Sequence, residues 1–344
     1  MQEFISKERL GIYESILKVK PSQVQAAYQW NKALSGALVP AMQCLEVTLR
    51  NAIDNGIRIH PPKGAKLKWL TDANWITSLP EYLGKKYLGN KRYQKVLNPK
   101  KNQNVDANNY LLDNNGNRLV VKKTFEEQKV EKTIKTIIKN GKIATPDRII
   151  SMMDFGFWTN LLDEKFEDNN AEIFLWPNLL SVIFPSAPKG TTRDDISNKF
   201  YRVRELRNRL SHHEAIWKFH HIKPGTNDFD YSCPVYGINA NCSLLLKSYE
   251  EVLELIGWMS QDRLATFEKF NSGSRFKALC SVDGLNSFIA PEKIANQLTV
   301  SMGGKGVKKI INILNKNQFI GLTLKGKTIA IFGNDAINQF YSNE

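Results

Sequence analysis

Histidine is scarce in this 344-residue chain: there are five, and four of them lie between positions 212 and 221. The groups best suited to move a proton near neutral pH are therefore confined almost to one place. Cysteine is nearly as rare. Cys44, Cys233, Cys242 and Cys280 are far apart and form no C-x-x-C pair; this argues against a zinc site or a disulfide framework and predicts reduced thiols, with no metal and no cofactor. The opening MQEFISKERLGIYESI lacks the apolar run of a secretory signal. No stretch approaches the roughly 20 consecutive apolar residues of a membrane span, so the expectation is a cytoplasmic chain without membrane contact. Acid is the last shortage. Asp and Glu number 34 against 48 Lys and Arg, leaving a net charge of +14.

A surplus of that size points to a polyanionic partner, of which nucleic acid is the commonest. Apolar residues make up 42% and aromatics 10%, enough for a folded core. The length suits one large domain and a small one. Helical periodicity governs most of the chain. Phe4, Leu10, Tyr13, Ile16 and Leu17 form a first apolar set, and Ser22 is a plausible cap for a second helix. Met42, Leu45, Leu49, Ala52 and Ile53 form a core stripe beyond Pro40, which should end or kink its helix. Further helices are expected from Thr124 to Ile138, from a Thr145 cap with Pro146 at the first position, from Thr192 into the histidine cluster, and over 244–270. Met152, Phe155, Phe157 and Trp158 are expected in the core. The fold class is mainly α, in a domain spanning 1–272. A small α+β appendage follows at 281–344, with a helix in FIAPEKIANQLTV and a strand pair around Lys325-Gly326.

An excursion interrupts the helices at about 85–123. Lys85, Lys86, Lys91, Arg92, Lys95, Lys100 and Lys101 occur there with no acid up to position 101, and Tyr87 and Tyr93 are interleaved. Cations with aromatics suit phosphate contact and base stacking, although a solvated helix face with two core tyrosines has the same composition. Lys85, Lys86, Lys91, Arg92 and Lys95 are candidate RNA contacts. NYLLDNNGNRLVV, at 109–121, reads as a hairpin around an Asn-Gly turn.

The stretch VRELRNRLSHHEAIW, residues 203–217, gathers Arg204, Glu205, Arg207, Asn208, Arg209, His212, His213 and Glu214. Arg207 and His212 are five positions apart, about 140° around an ideal helix, so one rigid helix cannot aim both at one atom. Either the helix ends or distorts near Ser211, or a second copy of the motif completes the site across a two-fold axis. RNA cleavage without metal needs a base for the 2′-hydroxyl, an acid for the 5′-oxygen and a cation for the phosphate. Histidine and arginine suit those roles, and Asn208 can orient either partner. Arg204 and Arg209 are candidate RNA contacts on the same helix. A structural salt-bridge cluster through Glu205 or Glu214 is the competing reading of the same letters.

Arg207-Asn208-Arg209-Leu210-Ser211-His212 resembles the R-x4-6-H motif of HEPN-domain ribonucleases. LRNRLSHHEAIW, together with Tyr28-Gln29-Trp30-Asn31 and Leu45-Glu46-Val47-Thr48-Leu49-Arg50-Asn51, is similar to the Abi-like (abortive infection, AbiD/AbiF-type) proteins. The resemblance implies a HEPN-like helical bundle, a homodimer with a composite site, and a toxin-like ribonuclease acting in phage defence. Arg207 and His212 would be catalytic, Asn208 the polar second position, and His213 an alternative imidazole. The products implied are a 2′,3′-cyclic phosphate and a 5′-hydroxyl, and an antitoxin or regulatory RNA is a possible partner. His60 lies too far beyond Arg50 to complete a second motif, so Arg50 and Asn51 are read as structural. A protein that binds a structured RNA without cutting it is the rival reading.

Overall fold

The computed structural model describes residues 5–59, 74–84, 87, 92–167, 175–226, 229–271, 273–299, 307–314, 316, 319–324 and 327–332. The expected Lys325-Gly326 turn, His60, and Lys85, Lys86 and Lys91 lie outside them. The fold is mainly α, as the periodicity predicts. Helices α1 (Lys7–Leu17) and α2 (Val24–Ile59) come first. After the excursion follow α3 (Phe125–Lys139), α4 (Pro146–Ser151), α5 (Phe155–Asn160), α6 (Leu180–Ile183) and α7 (Arg193–Ser211). Strands β1 (His220–Ile222) and β2 (Phe229–Pro234) form an antiparallel pair. Then come α8 (Ile238–Met259), α9 (Gln261–Phe270), α10 (Ser274–Leu279) and α11 (Val282–Ile289). The chain closes with β3 (Gln297–Thr299), α12 (Val307–Leu314), β4 (Ile320–Leu324) and β5 (Lys327–Phe332). Among the described residues, no helix is long and apolar enough to cross a membrane.

Caps explain most of the boundaries. Thr124 and Glu127 form a reciprocal capping box at α3, and Gly141, at φ +70°, turns the chain away beyond its far end. Thr145 caps α4 with Pro146 in the first turn, as its sequence predicts. Several expected helices end early. Asp154 accepts from the Phe157 amide (3.0 Å) and starts a new helix, which splits 146–160 into α4 and α5 and leaves Met152 exposed rather than in the core. Ser22 lies inside a single 3-10 turn, Pro21–Gln23, and caps nothing. Pro40 does not end α2, which runs through it. The helix expected over 244–270 breaks between Met259 and Gln261. FIAPEKIANQLTV holds the end of α11, a 3-10 turn at Pro291–Lys293 and strand β3.

The chain's contacts divide it into two compact units. Unit 1 comprises Met1–Leu45, Glu205–Gly257 and Gln261–Glu344, so the segment expected to be a separate appendage groups with the N-terminal helices. Its core is aromatic: Trp217 lies 5.3 Å from Tyr13 and 6.1 Å from Trp30, ring to ring, and all three are buried. The Trp30 indole donates to the Leu279 carbonyl (2.8 Å). In the three-stranded sheet, β3 pairs parallel with β4, and β4 antiparallel with β5.

Unit 2 comprises Glu46–Arg204 and Trp258–Ser260. Trp75, Phe157, Trp158, Trp176 and Phe200 fill its core. In the second LRN, Arg50 Nε donates to Asn51 Oδ1 (3.3 Å). The hairpin expected around Asn115-Gly116 is present as paired loops: Leu112 bridges Arg118, and the Asp113 amide bonds the Asn117 carbonyl (2.7 Å).

Candidate active site

Helix α7 starts on a second reciprocal box. The Thr192 amide donates to Asp195 (2.9 Å), and the Asp195 amide donates to Thr192 Oγ1 (3.2 Å). Its other end decides the site. The Glu214 amide bonds the Arg209 carbonyl (2.9 Å), the His213 amide bonds the Leu210 carbonyl (3.2 Å), and His213 takes φ +54°. That is a Schellman turn with histidine in the left-handed position glycine normally fills. His212 still bonds back to the Asn208 carbonyl (2.9 Å), so the helical course is left only at His213. Of the two outcomes the spacing leaves open, the helix does end close to Ser211. His212 and His213 follow that end and are exposed, while Arg207 and Asn208 are half-buried on its last turn.

Residues 212–216 are not helical, so their backbone groups need other partners, and side chains supply them. Arg9 donates to the His212 carbonyl (3.3 Å). Asn31 donates to the Glu214 carbonyl (3.1 Å) and accepts from the Ile216 amide (3.2 Å). Arg209 Nη2 donates to the Ala215 carbonyl. Beyond the turn, buried Ile216 and Trp217 anchor the chain in the aromatic core. The YQWN segment on α2 thus meets the LRNRLSHHEAIW segment directly: its asparagine holds the turn and its tryptophan packs on Trp217.

The cations expected to meet RNA separate into distinct environments. Arg209 faces inward, its guanidinium 5.5 Å from the Phe219 ring. Desolvation lowers its pKa to about 10 against the pull of Glu214, Tyr231 and Glu205, so it remains a cation at neutral pH. Arg204 donates to Asn160 Oδ1 (2.5 Å) and Thr159 Oγ1 (3.4 Å). Arg92 is buried in an ion pair with Glu127. These three guanidiniums are committed within the protein, whereas Lys95 is exposed. The salt-bridge alternative does not form at the histidines: among the described residues no carboxylate pairs with His212 or His213. His220, on β1, stacks edge-on against Tyr231 at 5.1 Å. Its pKa is lowered by burial first and by Lys218 and Arg209 next.

Sequence reading missed Arg9, the bracket made by Asn31, and the β1–β2 pair. The pair was legible in the alternation of FHHI and FDYSCP about a Pro-Gly turn. Asn31 carried only the signal of a polar residue beside Trp30 on an apolar helix stripe, and Arg9 carried none.

Two substitutions should move stability in opposite directions. Asn31→Ala strands the buried Ile216 amide and should cost about 1–3 kcal/mol in urea denaturation. His213→Gly relieves a left-handed non-glycine residue and should add about 1 kcal/mol. Equal destabilisation by both would contradict the turn described here.

No curated protein and no solved structure matches the chain. The family model for Abi-like proteins matches residues 2–218, well over half of the 344, and ends one residue past Trp217. The chain therefore belongs to the Abi-like protein family, which associates it with abortive infection, a form of phage defence.

Proposed function

We propose that the protein is a metal-independent RNA endonuclease of the HEPN type, acting in phage defence on RNA held between two copies of the α7 turn. The observation that carries this reading is the clamped Schellman turn. It leaves two exposed imidazoles, His212 and His213, just past Arg207 and Asn208 on a backbone fixed by Arg9, Asn31 and Arg209. A histidine in a left-handed position costs stability, and such strain is most often retained where the side chain has a task.

The chemistry follows from the groups. One imidazole removes the proton of a 2′-hydroxyl, and its oxygen forms a bond to the adjacent phosphorus. The bond from phosphorus to the 5′-oxygen breaks, and a second imidazole, in its protonated form, returns a proton to that oxygen. His212 is assigned one of these transfers, and His213 stands beside it as the other candidate. Arg207 pairs with the non-bridging phosphate oxygens as negative charge builds on them, and Asn208 orients the phosphate or an imidazole. The products are a 2′,3′-cyclic phosphate and a 5′-hydroxyl. A homodimer would set two such turns against each other, the arrangement a two-fold axis gives a single surface patch.

Cleavage of labelled RNA by the purified protein should persist in EDTA. Arg207→Ala and His212→Ala should each reduce it by about 100-fold or more, the scale of one lost acid–base or oxyanion partner, with circular dichroism and urea midpoint unchanged. RNA binding with no cleavage in the parent protein would favour a non-catalytic RNA binder. Undiminished cleavage by both variants would reject the assigned roles.

A further inference from the structure

The excursion between Arg92 and Lys123 has a chemistry that the α7 turn does not use. It carries the cations Arg92, Lys95, Lys100, Lys101, Arg118, Lys122 and Lys123 against two acids, Asp106 and Asp113. Both acids are spent inside the arm. Asp106 accepts from Arg118 Nε (2.6 Å) and from the Asn108 and Tyr110 amides (2.9 Å each). Asp113 accepts from the Asn115 (2.8 Å) and Asn117 (2.9 Å) amides. Arg92 is buried against Glu127, and Lys123 pairs with Glu131 (2.5 Å). Lys95, Lys100, Lys101 and Lys122 remain exposed, and none of them is paired with a carboxylate among the described residues.

Close to Lys95 is an arginine–tyrosine cluster. Arg118, fixed by Asp106, holds its guanidinium 4.5 Å from the Tyr110 ring and 5.6 Å from the Tyr93 ring. The two rings meet edge-on at 6.1 Å, and Lys95 lies 5.8 Å from Tyr110. The Arg118 side chain is 37% exposed, so part of it is accessible to a further partner. Guanidinium and tyrosine planes accept unpaired bases, and flanking lysines accept the phosphates between them. Leu97 and Val121 are also exposed, which raises an anionic membrane surface as the other candidate. The arm is built of short paired loops without an amphipathic helix, and this favours a strand of RNA.

We infer that the arm is a docking surface for single-stranded RNA, with the Arg118–Tyr110–Tyr93 cluster taking a base and Lys95, Lys100, Lys101 and Lys122 taking phosphates. It rests on the reading of the protein as one that acts on RNA, and names a surface outside the α7 turn by which that substrate is also held. The arm lies wholly within unit 2, and the turn within unit 1.

The test is fluorescence anisotropy with a mixed-sequence 2′-O-methyl RNA 20-mer, which cannot be cut by 2′-attack, across a salt series. Changing the four lysines to glutamine leaves the Arg118 contacts to Tyr110 and Tyr93 and all described hydrogen bonds alone, and removes only the Lys95 contact to the Tyr110 ring. It should weaken binding by about tenfold or more and flatten the slope of log affinity against log salt by about 0.7 per lysine. Arg118→Ala should also weaken binding, and His212→Ala should leave it intact. Unchanged affinity and slope in the four-lysine variant overturn the inference. So does tighter binding to vesicles containing phosphatidylserine than to the RNA, lost in the same variant. Lysine-dependent binding by a parent protein that never cleaves keeps the docking surface and rejects the nuclease. Cleavage that the lysine changes do not touch, with unchanged binding, does the reverse.

Discussion

One buried primary amide holds the candidate site in shape. Asn31, 2% exposed, donates to the Glu214 carbonyl and accepts from the Ile216 amide, bracketing Ala215 from both sides. Only a side chain with a donor and an acceptor on one short stem can satisfy two backbone groups of opposite polarity in this way. A helix end that turns back toward the core exposes carbonyls and amides that water cannot reach, and each orphan costs more than a hydrogen bond contributes. With Arg9 on the His212 carbonyl and Arg209 on the Ala215 carbonyl, the turn has few backbone choices left. Its imidazoles are therefore presented to solvent on a fixed frame, the condition a proton-transfer group needs.

Much of this was legible in the chain. The histidine cluster, the Thr145 cap, the helix starts near Thr124 and Thr192, and the core stripe of α2 follow from local chemistry that tertiary context did not override. The failures are also physical. The end of α7 near Ser211 was one of two alternatives that the spacing left open, and nothing in the letters of His213 announces φ +54°. The single helix expected from Pro146 overlooked that an aspartate at 154 gains more by capping a new helix than by sitting inside an old one. Arg207 and Arg209 are the same residue type two positions apart, yet about 200° apart around the helix. One of them faces Phe219 and the turn, and spacing alone does not say which.

The excess positive charge is partitioned by residue type. Arg92, Arg193, Arg204 and Arg209 are committed inside the protein, Arg193 to Glu167 (2.6 Å) and the Leu162 carbonyl (2.8 Å). A guanidinium is weakly hydrated and can bond several oxygens in one plane, so it tolerates burial better than an ammonium. Most lysines stay nearer the surface, although Lys165 reaches buried Glu126 (3.0 Å), and the arm between Arg92 and Lys123 carries five of them. The net charge of +14 is thus less a uniform coat than a set of internal fasteners plus an exposed lysine face.

The substrate's own 2′-hydroxyl is the most direct handle on the proposed chemistry. Once a cut site is mapped on an RNA, a single 2′-deoxy substitution at the nucleotide 5′ to the scissile bond removes the attacking oxygen and little else. Cleavage at that bond should vanish while neighbouring cuts and binding persist. Unabated cleavage there, leaving a 5′-phosphate, would mean that the imidazoles at the end of α7 do not do what is proposed for them.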